Sequence, residues 1–251
     1  MKILAIAWNV FRESLRDKVF FNLLIFSALM VACVGAISTL TVGDPGKIVA
    51  DIGLAAMNAF GVLMAIFLGV SLVSKEIARR TIYNVLSKPI RRDQFLLGKY
   101  LGLSLTLLTN MGVMAVVLTG VFVFVENRFA PGLLIAIGMI YCELLVIVAV
   151  ALLFSTFTTA TLSAIFTLSV YLLGHLSALW LSVVENSTGL AKPLGYTLYH
   201  LLPNLEHFNY KGYALLPIPE GWIAMSLGYG VAYIVSLLAL AMLIFQHREF
   251  K

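Results

Sequence analysis

The sequence predicts an all-α polytopic membrane protein with six transmembrane helices, an N-terminal amphipathic interfacial helix, and both termini in the cytoplasm. Three observations carry this. Of 251 residues, 61% are hydrophobic and 12% charged, against roughly 45–50% and about 25% in soluble domains. Six apolar runs are each long enough to cross a ~30 Å hydrocarbon core at ~1.5 Å rise per residue. Lysine and arginine gather on one side of those runs, as the positive-inside rule requires. No run shows the ~10-residue alternation of a transmembrane barrel strand.

The first element is residues 1–18. Ile3, Ile6, Ala7, Val10, Phe11 and Leu15 recur at helical spacing, with Leu4 and Trp8 alongside. Asn9, Arg12, Glu13, Arg16 and Asp17 take the other face. Such a helix is too short and too charged to span, and lies in the interface. Span one covers 19–40. It is too long for a signal-peptide core and more spans follow, so no cleavable leader is expected. Ala28, Ala32 and Ala36 recur on it every four residues, a spacing that lets helices approach closely, between two subunits or within one.

Span two covers 52–73 and span three 100–125, the latter long enough to tilt. Between them lies the segment 74–99. It holds seven Lys or Arg against Glu76 and Asp93. Ile77, Ile82, Val85 and Leu86 continue a helical face from span two. Pro89 ends it, because proline lacks a donor and restrains the residue before it. Asp93 is the expected N-cap of a second helix running through Lys99 into span three. The result is a helix–break–helix elbow. With the N-terminus inside, thirteen Lys or Arg fall inside and four outside. The net charge of +5 is thus a one-face feature, which argues against a nucleic-acid partner.

Span four covers 133–154 and contains Glu143. Span five covers 162–184 and contains His175. Glu143 lies about 15 Å below the outer end of its helix and His175 about 14 Å below. The helices are consecutive and antiparallel, so the two groups sit at matching depth and are expected to pair. Buried charges in lipid are expensive and normally find partners. The pair reads either as a proton or substrate site in the pathway, or as a lock between two helices. Cys33 and Cys142 lie near the same depth. They lack a metal-ligand spacing motif, and no metal site is assigned to them or to His200, His207 and Glu206.

The outer segment 185–221 is long but only modestly polar. Leu190, Leu194, Tyr196, Leu198, Tyr199, Leu201 and Leu202 suggest a stretch that dips into the outer leaflet. Pro193, Pro203, Pro217 and Pro219 are expected to break it into short pieces. Tyr196, Tyr199, Tyr210, Tyr213 and Trp222 fit an interfacial aromatic belt. Asn186-Ser187-Thr188 matches a glycosylation acceptor and is read as chance. Span six covers 222–245.

The ordered set Glu76, Thr81, Leu86, Lys88-Pro89, Arg91-Arg92 and Gly98-Lys99 resembles the ABC-2 type permease family. So do the N-terminal helix with Phe11, Arg12, Glu13, Leu15 and Arg16, the short inner loop 155–161, and the long outer segment before the last span. The resemblance covers essentially the whole chain as one transmembrane domain. It implies a membrane subunit that works as a homodimer with two copies of a separate ABC ATPase, on which ATP and Mg would bind. It implies contact with that ATPase through Arg12, Glu13, Glu76, Arg79, Arg80, Thr81, Lys88, Pro89, Arg91, Arg92 and Lys99, and a dimer face through Ala28, Ala32 and Ala36. Export is the expected direction and the bacterial inner membrane the expected location.

The chain carries no phosphate-binding loop of its own. Gly98-Lys99 is followed by Tyr100 and preceded at the required position by Asp93. It is therefore not expected to be an enzyme by itself, nor to bind a cofactor. Residues 206–213 loosely resemble permeases grouped with multi-copper enzyme and nitrous-oxide-reductase maturation, while similar chains serve drug, lipid or peptide efflux. Substrate stays open. Two rival readings are an ion-gradient-driven secondary transporter or channel using Glu143 and His175, and a membrane anchor that transmits mechanical force without moving a solute.

Overall fold

The computed structural model describes residues 2–16, 18–39, 44–78, 91–186, 189 and 191–247. Its helices are α1 (Lys2–Leu15), α2 (Lys18–Thr39), α3 (Pro45–Ala78), α4 (Arg92–Glu126), α5 (Pro131–Phe157), α6 (Ala160–His175), α7 (Ser177–Glu185), α8 (Ala191–Leu201) and α9 (Trp222–His247), with 3₁₀ turns at Leu205–Phe208 and Lys211–Tyr213. No strand occurs among the described residues. Among the described residues, four segments are long and apolar enough to cross a membrane: Pro45–Val70 of α3, α4, α5, and Trp222–Gln246 of α9. They coincide with expected spans two, three, four and six. The first expected span, 19–40, is helical as α2, with several of its side chains outside the description.

The ends of the long helices follow local chemistry. Asp44 caps α3: its Oδ1 accepts from the backbone N–H of Gly46 at 3.1 Å and of Lys47 at 3.3 Å. Pro45 opens the helix, where its missing N–H costs nothing. At α4 the structure corrects one expectation. Arg91, extended at φ −74° and ψ 149°, precedes the first helical residue, and Asp93 sits inside the first turn rather than at the cap. Its carboxylate still complements the positive end of the helix dipole. From there α4 runs unbroken for 35 residues, about 50 Å.

Helix α5 is the centre of the bundle. Being apolar nearly all round, it is buried nearly all round, with Leu144, Val146, Ile147, Val148, Ala149 and Leu152 wholly inaccessible. It packs on α3, α4, α6 and α9. Close approach to α3 uses small residues: a Cβ added at Gly69 would stand 2.7 Å from the Cβ of Ala151. Such contacts replace the hydrophobic drive that lipid cannot supply between helices.

The fifth expected span, 162–184, is not one helix. It divides at Leu176 into α6 and α7. The break falls where the outer segment comes in. The Pro203 carbonyl and the Leu205 side chain crowd Gly174, leaving 2.7 Å to a built Cβ, and Ser177 Oγ donates to Asn204 Oδ1 at 3.0 Å. The outer segment is in short pieces, as its prolines require. Pro193 is the exception, since it lies in the first turn of α8, where a missing N–H breaks no ladder bond.

Candidate functional site

Glu143 is the one acid of α5, and only 1% of it is accessible. An unpaired carboxylate there would be strongly destabilising. Both of its oxygens are met. Oε1 lies 2.8 Å from His175 Nε2, and Oε2 accepts from Asn58 Nδ2 at 2.9 Å. The Asn58 Oδ1 in turn accepts from the Tyr171 hydroxyl at 2.7 Å. Tyr171 and His175, one turn apart on α6, bring their rings edge to face at 4.8 Å. The expected Glu143–His175 pair therefore forms.

The sequence reading missed three members of this network: Asn58 on α3, Tyr171 on α6, and Glu206 from the outer segment. Glu206 Oε1 lies 3.0 Å from the second ring nitrogen of His175, Nδ1. Its Oε2 accepts from Asn209 Nδ2 at 2.9 Å. Burial pushes the Glu206 carboxyl up. The bonds from Asn209 and His175, with the charges of His175 and Lys211, outweigh burial and hold it below the ordinary carboxylate range. A signal was present for two of the three: Asn58 is a lone amide in an apolar run, and Tyr171 stands at the i, i+4 position to His175.

A neutral imidazole carries one N–H, whereas an imidazolium donates from both nitrogens. Each ring nitrogen of His175 faces a carboxyl oxygen, so the ring either donates at both ends or donates at one and accepts at the other. Among the described residues no three His, Cys, Asp or Glu side chains converge as a metal site. Cys33 is exposed and Cys142 half-buried. The side chain of His200 lies outside the description, as do residues Ser187, Thr188 and Leu190.

At the opposite end, α1 lies along α4. Ala7, Val10 and Ser14 are its buried face. The approach depends on Gly98 and Gly102, four apart on α4. A Cβ at Gly98 would stand 2.7 Å from Ile6, and one at Gly102 would stand 2.7 Å from the Ala7 carbonyl oxygen. Arg12 and Glu13 are exposed on α1, lining an open polar cleft of about 530 Å³ with Asn9 and Arg16. Arg91 is exposed. Arg92 turns back onto α9: its Nη1 donates to the carbonyls of Phe245 and Gln246, both at 3.0 Å. Phe95 stacks on Phe245 with centroids 6.3 Å apart. Lys99 is buried to 1% exposure, its Nζ 4.8 Å from the Phe95 ring centre. Glu76 is on α3, with its side chain outside the description. Arg79, Arg80, Thr81, Lys88 and Pro89 lie outside the described residues. On α2, Ala28 is half-buried and Ala32 exposed, and the side chain of Ala36 is outside the description.

Apolar helices of spanning length, wrapped on an apolar central helix whose lone acid is sealed by partners, define a multi-pass helical membrane protein. The family model described as ABC-2 family transporter protein matches residues 4–250, and the chain belongs to that family. Membership implies association with an ABC ATPase. No curated protein sequence matches the chain.

Proposed function

We propose that this chain is the permease subunit of an ATP-driven exporter in a bacterial inner membrane, acting as a homodimer with two copies of a separate ATPase that binds ATP and Mg. The observation that carries this is the family match over 4–250. The joint between α1, α4 and α9 supports it mechanically. Exposed Arg12, Glu13 and Arg91 stand beside a helix of about 50 Å that reaches the other side of the bundle. A push on that end is transmitted by α4 as a rigid body and shared with α9 through Arg92. This is the kind of two-state rigid-body coupling that switches the side a cavity faces. The segment 79–90, with Arg79, Arg80, Thr81, Lys88 and Pro89, completes the contact in this reading.

Glu143 and His175 have the role of a lock. Their polar atoms are directed at one another and at Asn58 and Glu206, and Glu143 is sealed from solvent. The test is reconstitution of this chain with its partner ABC ATPase. Transport that needs ATP, and that fails when Arg91 is replaced while the complex stays assembled, is the expected result. Transport driven by a proton gradient without ATP would overturn it.

A further inference from the structure

We propose that the cavity between the outer segment and the start of α9 is a binding site for an organic cation bearing a quaternary ammonium head. The cavity holds about 310 Å³, at the small end of the range of ligand pockets. Its walls are aromatic. Tyr213 stands against Trp222 with centroids 5.9 Å apart and planes at 74°. Tyr210 stands against Tyr213 at 6.2 Å and 53°. Three aromatic rings and a carboxylate thus line one small cavity, the residue types that hold organic cations.

The charge has the right sign. Glu206 lines the cavity, and among the described residues no Lys or Arg does. Lys211 acts on Glu206 from outside that lining. Glu206, held below the ordinary carboxylate range, supplies the negative charge at the wall.

The hydrogen bonding selects the kind of cation. The Glu206 oxygens already accept from His175 and Asn209. The Tyr210 hydroxyl meets Ser226 Oγ at 3.1 Å, and Ser226 donates to the His207 carbonyl at 2.7 Å. A quaternary head needs only the charge and the aromatic wall, and has no N–H of its own to satisfy against groups already bonded to one another. Two sources share this chemistry: the choline head of a lipid, and a free quaternary ammonium solute. Trp222 and Met225 at the mouth are 48% and 75% exposed, so either has access. Permease action is not assumed, since binding is measured without ATP.

The experiment is saturation binding of radiolabelled choline and tetramethylammonium to the full chain in phosphatidylglycerol nanodiscs. 3,3-Dimethylbutanol, the uncharged carbon isostere of choline, serves as competitor. Saturable binding that the isostere does not displace is expected, weakened about tenfold in Trp222→Leu. Repeating it in phosphatidylcholine nanodiscs separates the sources. Loss of choline binding there assigns the site to the lipid head; unchanged binding assigns it to the free solute. Should Trp222→Leu fail to fold, Tyr213→Leu and the isostere comparison on the unmodified chain decide. Absence of saturable binding in phosphatidylglycerol, or equal displacement by the neutral isostere, would overturn the proposal.

Discussion

His175 Nε2 lies 2.8 Å from Glu143 Oε1, joining half-buried His175 of α6 to buried Glu143 of α5. Removing one partner strands the other. His175→Ala leaves Glu143 with the single bond from Asn58, and a buried carboxylate so exposed to apolar surroundings costs about 3 kcal/mol or more. Glu143→Gln, which keeps the bond to Asn58, is expected to cost less. The double replacement Glu143→Leu/His175→Leu should recover much of the loss, because it removes both charges together. Melting temperatures of the purified chain measure this. Full transport in the double variant would support the lock, and abolished transport in a stable double variant would argue for a role in the pathway.

The outer segment responds to acid through Glu206. Its carboxyl is held below the ordinary value of 4.5, so the folded state binds the proton more weakly than the unfolded chain does. The stabilisation is fully present above 4.5 and is lost as pH falls from there through the folded value. Hydrogen-exchange protection of residues 205–213 should therefore fall as pH drops below about 5. Glu206→Gln is expected to flatten that dependence.

The pairing of Glu143 with His175 was legible because consecutive antiparallel helices fix relative depth. The partner of Asn58, marked only as a lone amide, and the approach of Glu206 were not, since these groups reach the site across 85 and 31 residues of chain. Long-range partners depend on which helix faces are apposed, and apolar runs carry no information on that. The division of span five at Leu176 escaped for a related reason. Nothing at Leu176 itself stops a helix; the cause is the Pro203 carbonyl and Leu205 seated on Gly174. The early start of α3 was missed because an apolar-run criterion passes over Asp44-Pro45-Gly46, although those residues form an N-terminal cap by their own chemistry.

Docking of α1 on α4 rests on two absent side chains. Gly102→Leu places its branch against the Ala7 carbonyl and Val10, and overpacking of this kind costs about 1–3 kcal/mol. The force falls on a short surface helix, which is expected to detach before the bundle unfolds. Cysteine crosslinking between α1 and α4 should drop while the melting temperature changes little. Persistent crosslinking in Gly102→Leu would show that α1 is held elsewhere.

Arg91 and Arg92 are adjacent and alike in charge, yet they face different tasks. Arg92 donates to the last carbonyls of α9, where a cation is favoured by the helix dipole. Arg92→Ala removes both bonds and is expected to cost about 1 kcal/mol. Because the bonds tie α4 to α9, the loss should appear as earlier exchange of the final turns of α9. Arg91 is exposed and extends from the N-cap of α4, so Arg91→Ala should leave stability within about 0.5 kcal/mol. Its effect is expected on ATPase stimulation in the assembled complex instead. Measured side by side, the two variants separate the inner half of the joint from the outer half. Equal loss of stability in both would mean that Arg91 also holds the bundle together.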